Sequence, residues 1–191
     1  LPKGPRWCKK PRMRGYFGIG VEGISKAMNL GNLLRSAHAF GASFFFTVAA
    51  DISERSMRHA DTSDAPDHLP VYRFDSVGEL TLPRRCQLVG VELTDGAEEL
   101  PSFWHPPAAA YVLGPEKGSL SPKMLARCDK VVKIPMKFCI NVGTAGAIVM
   151  YDRLLARGRF DRRATGSLAK PEPRPAHVHG PQIIRSRRRA D

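Results

Sequence analysis

Between Tyr16 and Ala156, apolar runs of strand length alternate with stretches whose apolar residues recur at helical spacing. This alternation constrains the fold more than any other feature of the chain. Tyr16–Val21, Ser43–Ala49, Val71–Phe74, Gln87–Val91, Ala109–Leu113 and Lys130–Ile134 read as strands. Asn29–Phe40 carries Leu30, Leu33, Leu34 and Ala37 on one helical face, with Asn29 placed to cap its start and Gly41 its end. Ser76–Leu80 is a shorter helix candidate. Ser121-Pro122 opens another, a capping hydroxyl followed by proline at the first helical position. Asn141–Ala156 turns Val142, Ala145, Ile148, Val149 and Leu155 inward and closes at Gly158. The pattern predicts an α/β domain over 16–161, built on a mostly parallel sheet of about six strands with helices on both faces.

Charge divides the chain differently from hydropathy. The net charge is +12, yet residues 16–161 hold as many acids as bases, so the excess sits in the two ends. Residues 1–15 carry six basic side chains and no acid; residues 162–191 carry eight basic side chains and two acids. Both ends are Pro-rich and lack a sustained apolar period, so they read as flexible basic tails unable to offset their ordering entropy by burial. Solvated, solubilising arms are one reading. Two basic arms on a neutral domain favour a polyanionic partner, because Lys and Arg bind phosphates with counterion release and no sequence preference.

Several classes are excluded. No apolar run approaches the ~20 residues of a membrane span. Cys8, Cys86, Cys128 and Cys139 are widely spaced, with no CxxC pair, which argues against a zinc site or a disulfide framework. No long apolar stretch of a secretory leader opens the sequence, so a cytoplasmic protein is expected. A Rossmann-type enzyme is disfavoured, since no G-x-G-x-x-G follows a strand with an acid about 20 residues later.

In parallel sheets ligands bind beyond the carboxyl ends of the strands. Three polar segments fall there: Asn29–Arg35, Leu113–Ser121 and Ile134–Gly143. Each alone is compatible with a capped helix or a turn. As an ordered trio they resemble the SpoU (TrmH-like) branch of the SPOUT RNA ribose methyltransferases. Asn29-Leu30-Gly31-Asn32-Leu33-Leu34-Arg35 resembles that family's N-x-G-x-x-x-R pattern. Leu113-Gly114-Pro115-Glu116 resembles the start of its L-G-x-E-x-x-G pattern, with Gly118 taken as the closing glycine. Ile134-Pro135-Met136 and Ile140-Asn141-Val142 resemble its I-P-M … L-N-V pattern. Cys139 and Gly143 stand where the family usually has serines, so two hydroxyls that could touch cofactor or ribose are absent.

The resemblance implies a sheet domain with a C-terminal trefoil knot, a homodimer, and transfer of a methyl group from S-adenosyl-L-methionine to a ribose 2′-hydroxyl of RNA, with no metal. It implies a cofactor slot made by Val91, Leu113, Gly114, Gly118, Ile134, Met136 and Ile140. It makes Arg35 the first catalytic candidate, joined by Asn29, Glu116 and Asn141. A guanidinium is a poor base, its pKa exceeding ~12; gripping a phosphate and stabilising a developing alkoxide suits it better. Asn29 and Asn141 could equally be helix caps, and Glu116 could order Arg35 or an asparagine. His38 reads as a structural histidine and Cys139 as a small packing residue. Arg12, Arg14, Arg35, Arg162 and Arg163 are the expected RNA contacts. No separate RNA-binding domain is apparent, which favours tRNA over rRNA as substrate. A binding protein that kept the fold and lost catalysis is the non-enzymatic alternative.

Overall fold

The computed structural model describes residues 15–52 and 68–158. The tail arginines Arg12, Arg14, Arg162 and Arg163, and the two outer domain boundaries, lie outside the described residues. Seven parallel strands form one sheet: β1 (Tyr16–Glu22), β2 (Phe44–Val48), β3 (Val71–Phe74), β4 (Gln87–Val91), β5 (Glu98–Glu99), β6 (Ala108–Leu113) and β7 (Lys130–Lys133), in the order β3-β2-β1-β6-β4-β7-β5. The α-helices described in full are α1 (Ala27–Ala39), α2 (Pro122–Arg127) and α3 (Val142–Arg157), and Leu100–Ser102 forms a single 3-10 turn. None is long and apolar enough to cross a membrane.

The central strands are covered on both faces, which is why they read as unbroken apolar runs: Phe44–Val48 is buried throughout, as is Ala109–Leu113. Alternate side chains feed two cores. Phe45, Ala109 and Tyr111 point to the face under α1 and α3; Phe46, Ala110 and Val112 point to the face that Met124 of α2 closes. On α1, Leu30, Leu33 and Leu34 are fully buried, each contributing ~1.5–3 kcal/mol relative to exposure. Helix α3 packs directly on α1. Gly146 permits this, because the side chain of Leu33 fills the space its Cβ would take.

Gly18-Ile19-Gly20-Val21-Glu22-Gly23 has the spacing of a dinucleotide-binding loop, but Gly18 and Gly20 lie inside β1. The phenyl rings of Phe44 and Phe46 occupy the places of their missing Cβ atoms. The spacing therefore reports packing of β1 on β2, not phosphate binding.

Four expectations are corrected. The sheet has seven strands, not six: β5 is two glutamates paired with β7, with no apolar signal to betray it. Ser76–Leu80 is a pair of turns, not a helix. Glu79 reaches back to the Asp75 N–H (3.3 Å) and the Ser76 hydroxyl (3.0 Å), and Arg127 of α2 donates to the Val77 and Leu80 carbonyls that a helix would need. Asn29 does not cap α1; Lys26 holds that position, and Asn29 is buried within the first turn. Ile148 and Leu155 point outward from α3, while Met150 and Arg153 point inward.

Candidate functional site

The carboxyl ends of β1, β4, β6 and β7 bring the three polar segments together. Asn141, at the N-cap of α3, accepts from the Gly143 N–H through Oδ1 (2.8 Å) and donates through Nδ2 to Asn29 Oδ1 (2.8 Å). Asn29 in turn donates through Nδ2 to Glu116 Oε1 (3.1 Å). Glu116 also accepts from the Lys26 N–H (2.9 Å), the Ser25 N–H (3.3 Å) and the Ser25 hydroxyl (3.3 Å). One hydrogen-bonded relay thus runs from the start of α3 through α1 to the loop after β6.

The relay supplies what α1 lacks locally. Lys26 offers no side-chain cap, and the first turn of α1 holds no acid. Glu116 brings a carboxylate to that positive helix end from 90 residues away in sequence. Partial burial pushes its pKa up, but the hydrogen bonds from its own backbone, Asn29, Lys26 and Ser25 outweigh this and hold it below the ordinary carboxylate value. Glu116 is therefore an ionised anchor rather than a proton acceptor. It orders an asparagine, one of the two roles the sequence left open for it.

Two acids that the sequence reading missed hold the loop 114–121. Glu22, buried at the end of β1, accepts from the Ser121 hydroxyl (2.6 Å) and N–H (2.8 Å). Glu92, just past β4, accepts from the Leu120 N–H (2.7 Å) and the Leu93 N–H (2.9 Å). The available signal was positional: each is an acid immediately after a buried apolar run. Gly114 lies tightly beneath this brace, where a Cβ would come within 3.0 Å of the Leu120 nitrogen. Gly118 adopts φ +125°, which favours glycine. It stands one position before the closing glycine of the L-G-x-E-x-x-G pattern, a place that Ser119 takes.

Val91 and Leu113 are register partners on β4 and β6, and Ile134 follows β7 beside them. Leu113 and Ile134 are buried in the core below. Val91, Met136 and Ile140 pack half-buried against that same core. The apolar cofactor candidates are therefore gathered at three adjacent strand ends. Gly143 stands in a tight place: a Cβ there would lie 3.2 Å from both Asn32 Cβ and Asn141 Oδ1. Cys139 is exposed and so is no packing residue. His38 stacks on His68, ring centroids 5.2 Å apart, a structural contact.

The Cα of Arg35 lies about 9 Å along α1 from that of Asn29 and roughly 120° around the helix. Arg35 is exposed on the same strip as Met28 and Asn32, and Asn32 abuts the start of α3. Among the described residues no group of three or more His, Cys, Asp or Glu is placed to hold a metal ion.

Residues 17–151 match the SpoU rRNA Methylase family. Over 138 residues the chain is 26% identical to the mouse tRNA (guanosine(18)-2′-O)-methyltransferase TARBP1, covering 68% of this chain and 9% of that protein. The SpoU methyltransferase AviRb from Streptomyces viridochromogenes, solved in complex with AdoMet, superposes with a TM-score of 0.66 at 24% identity, covering 77% of this chain and 62% of that one. The TrmH/SpoU tRNA modifying enzyme of A. aeolicus superposes with a TM-score of 0.62 at 19% identity, covering 74% and 75%. This chain thus spans a small part of the mouse protein and under two thirds of AviRb; the structural likenesses show a shared fold.

Proposed function

The chain belongs to the SpoU rRNA methylase family, and we propose that it transfers a methyl group from S-adenosyl-L-methionine to a ribose 2′-hydroxyl of RNA. The observation that carries this reading is the relay Asn141–Asn29–Glu116, which ties the three family motifs into one site beside an apolar cradle.

The cradle suits an adenosine. Val91, Met136 and Ile140 offer half-buried aliphatic surface at the strand ends, next to the backbone polar groups of Gly114 and the residues after it. S-adenosylmethionine, when bound, supplies a methyl carbon on a sulfonium that departs as a neutral thioether. The chain's own task is then to place a ribose oxygen in line and to tolerate the charge developing on it. Arg35 performs the second part: its guanidinium grips the neighbouring phosphate and stabilises the alkoxide, while the hydroxyl proton leaves to that phosphate or to water. Asn29 and Asn141 act as positioning residues that fix the start of α1 against the start of α3, and Glu116 holds both.

Arg35 and the relay occupy different faces of α1, which supports a homodimer in which one subunit's Arg35 serves the partner's cradle. Ile148, Tyr151 and Leu155 form an exposed apolar strip along α3 suited to that interface. A trefoil knot is part of the same proposal; its support is that β6 and β7 flank β4, with α3 then returning onto α1. The basic ends, with Arg12, Arg14, Arg162 and Arg163, are the proposed phosphate contacts of a larger RNA surface around the neutral domain 16–161. A tRNA is the favoured substrate, supported by the activity in the name of the mouse relative; rRNA is the second reading, favoured by the family's description.

Calorimetry with S-adenosylmethionine tests the cofactor. Transfer of labelled methyl to total tRNA and to rRNA, with the product mapped by nucleotide, tests the substrate. Saturable cofactor binding with label on a ribose oxygen is expected; label on a base would overturn the assigned chemistry.

A further inference from the structure

A cavity of about 420 Å³ opens at the carboxyl ends of β2 and β3, two strands away from the cradle. Its size falls within the ~300–1,000 Å³ typical of small-molecule pockets. Thr47 and Arg73 are register partners on adjacent parallel strands, so their side chains share a face of the sheet. That face is the one α1 covers, because Phe45 and Val71, two residues earlier on each strand, belong to the core beneath α1. Leu30 of α1 forms the apolar wall, and the chain from Ala49 to Ile52 forms the rim.

This rim departs from relaxed geometry. Ala49 holds φ 48°, in the left-handed region that a residue other than glycine rarely enters. Its N–H bonds to the Phe74 carbonyl (2.9 Å), and the Asp51 N–H bonds to the Ile24 carbonyl (3.1 Å). The backbone is thus turned sharply off β2 and fastened on both sides. Such outliers cluster where a binding surface is shaped.

Among the described residues, the chemistry of the lining selects among ligands. Ile52 and Ala50 supply apolar contact area above the buried Leu30. Thr47, almost wholly buried, presents a hydroxyl able to donate or accept. Asp51 and Asp75 add two carboxylates at the mouth. Two acids against one arginine disfavour a phosphate here and suit the exocyclic amino groups on the edge of a nucleobase. Position narrows the choice. β2 stands two strand spacings from β6 and three from β4, about 10–14 Å from the cradle. That is farther than a ribose lies from its own base and is the scale of a neighbouring nucleotide in a splayed-out strand.

The geometry points to this cavity as the pocket for an unstacked base flanking the nucleotide being methylated, with amino-bearing bases preferred over uracil. Its placement beside the methylated nucleotide rests on the methyl-transfer reading above; its capacity for a base does not. Recognition of RNA through splayed-out bases, held on their edges against apolar surface, is the general mode such a pocket would serve.

The test uses the full chain with labelled Leu and Ile methyl groups, titrated separately with AMP, GMP, CMP, UMP and ribose 5-phosphate. Saturable shifts of the Leu30 and Ile52 methyl resonances are expected with the first three nucleotides at millimolar concentrations. UMP should bind several-fold more weakly, and ribose 5-phosphate should leave these resonances unmoved. Asp75→Asn, at an exposed position, should weaken nucleotide binding at least fivefold, as should the near-isosteric Thr47→Val, with S-adenosylmethionine affinity unchanged in both. Nucleotides that leave Leu30 and Ile52 unshifted, or ribose 5-phosphate that shifts them equally, would overturn the pocket. Calorimetry on the same sample separates the two readings. Cofactor binding without nucleotide binding removes only the base pocket; nucleotide binding without cofactor binding removes methyl transfer and leaves the pocket standing.

Discussion

At the amino ends of β1 and β6, Arg153 of α3 donates to the carbonyls of Pro106 (2.7 Å), Pro107 (3.0 Å) and Tyr16 (3.0 Å) and to the Tyr111 hydroxyl (3.1 Å). His105 joins that hydroxyl (2.6 Å) to Asp152 (2.8 Å). At the carboxyl ends, the relay Asn141–Asn29–Glu116 joins the other end of α3 to α1. Both networks fasten α3, yet only one faces solvent. Arg153, His105 and Tyr111 are at most 3% exposed, whereas Glu116 is half-buried and Asn141 exposed. Burial drives the Tyr111 pKa up to about 12, countered in part by Arg153. The buried cluster has its polar groups satisfied internally. The lesson is that a constellation of His, Asp, Tyr and Arg is not evidence of catalysis; its position at the amino ends of the strands marks it as an anchor.

The contrast predicts opposite outcomes for two arginines. Arg153→Met removes four hydrogen bonds in or beside the core and should lower the unfolding free energy by on the order of 3–4 kcal/mol. Urea denaturation measures this; a loss below about 1 kcal/mol would show that the cluster does not anchor α3. Arg35→Ala should leave stability within about 0.5 kcal/mol and S-adenosylmethionine binding intact. Methyl transfer should fall by about 10²–10³, the cost of removing one transition-state donor. If activity survives in the alanine variant, Arg35 leaves the mechanism.

The two networks were unequally legible in the sequence. Asn29, Glu116 and Asn141 could be grouped because each sits in a short polar segment beyond a strand, where a parallel sheet gathers its ligand-binding groups. Their mutual bonds could not be read, and Asn29 looked like a cap because a capping residue and a buried first-turn asparagine share one local pattern. Arg153 was invisible: an arginine amid the alternation of α3 reads as solvent-facing, and only the carbonyls of Tyr16, Pro106 and Pro107, brought there by β1–β6 pairing, give it a buried place. Ile148 and Leu155 erred the opposite way. Periodicity marks an apolar strip without saying whether the chain itself covers it. Glu22 and Glu92 were overlooked for want of any motif, although their places at the end of β1 and just after β4 were in plain view.

The relay's dependence on charge can be tested with Glu116→Gln, which keeps shape and loses the anion at the start of α1. Stability should drop by about 1 kcal/mol, in the range of a lost cap. Because the folded pKa of Glu116 is depressed, its contribution is present above the unfolded carboxylate pKa and is lost as pH falls through the lower folded value. The stability difference between wild type and Gln variant should therefore shrink on acidification below the usual carboxylate range. A difference that is constant down to the lowest pH at which the protein stays folded would mean that shape, not charge, carries the role.

The smallest effect belongs to the buried network and has a different pH window. Burial lowers the His105 pKa from 6.5, more than the bond to Asp152 raises it. The unfolded chain then takes up a proton that the folded chain resists, so stability should decline as pH falls from neutrality through 6.5 toward the lower folded value. His105→Gln should be less stable at neutral pH, since the amide cannot reproduce both ring contacts, but should lose that component of the slope on acidification below neutrality. A wild-type slope of the opposite sign, with stability rising on acidification, would mean that the Asp152 pair outweighs burial and that His105 is a charged member of the cluster. The contrast between a histidine held neutral at the sealed end and a carboxylate held ionised at the open end would then fail.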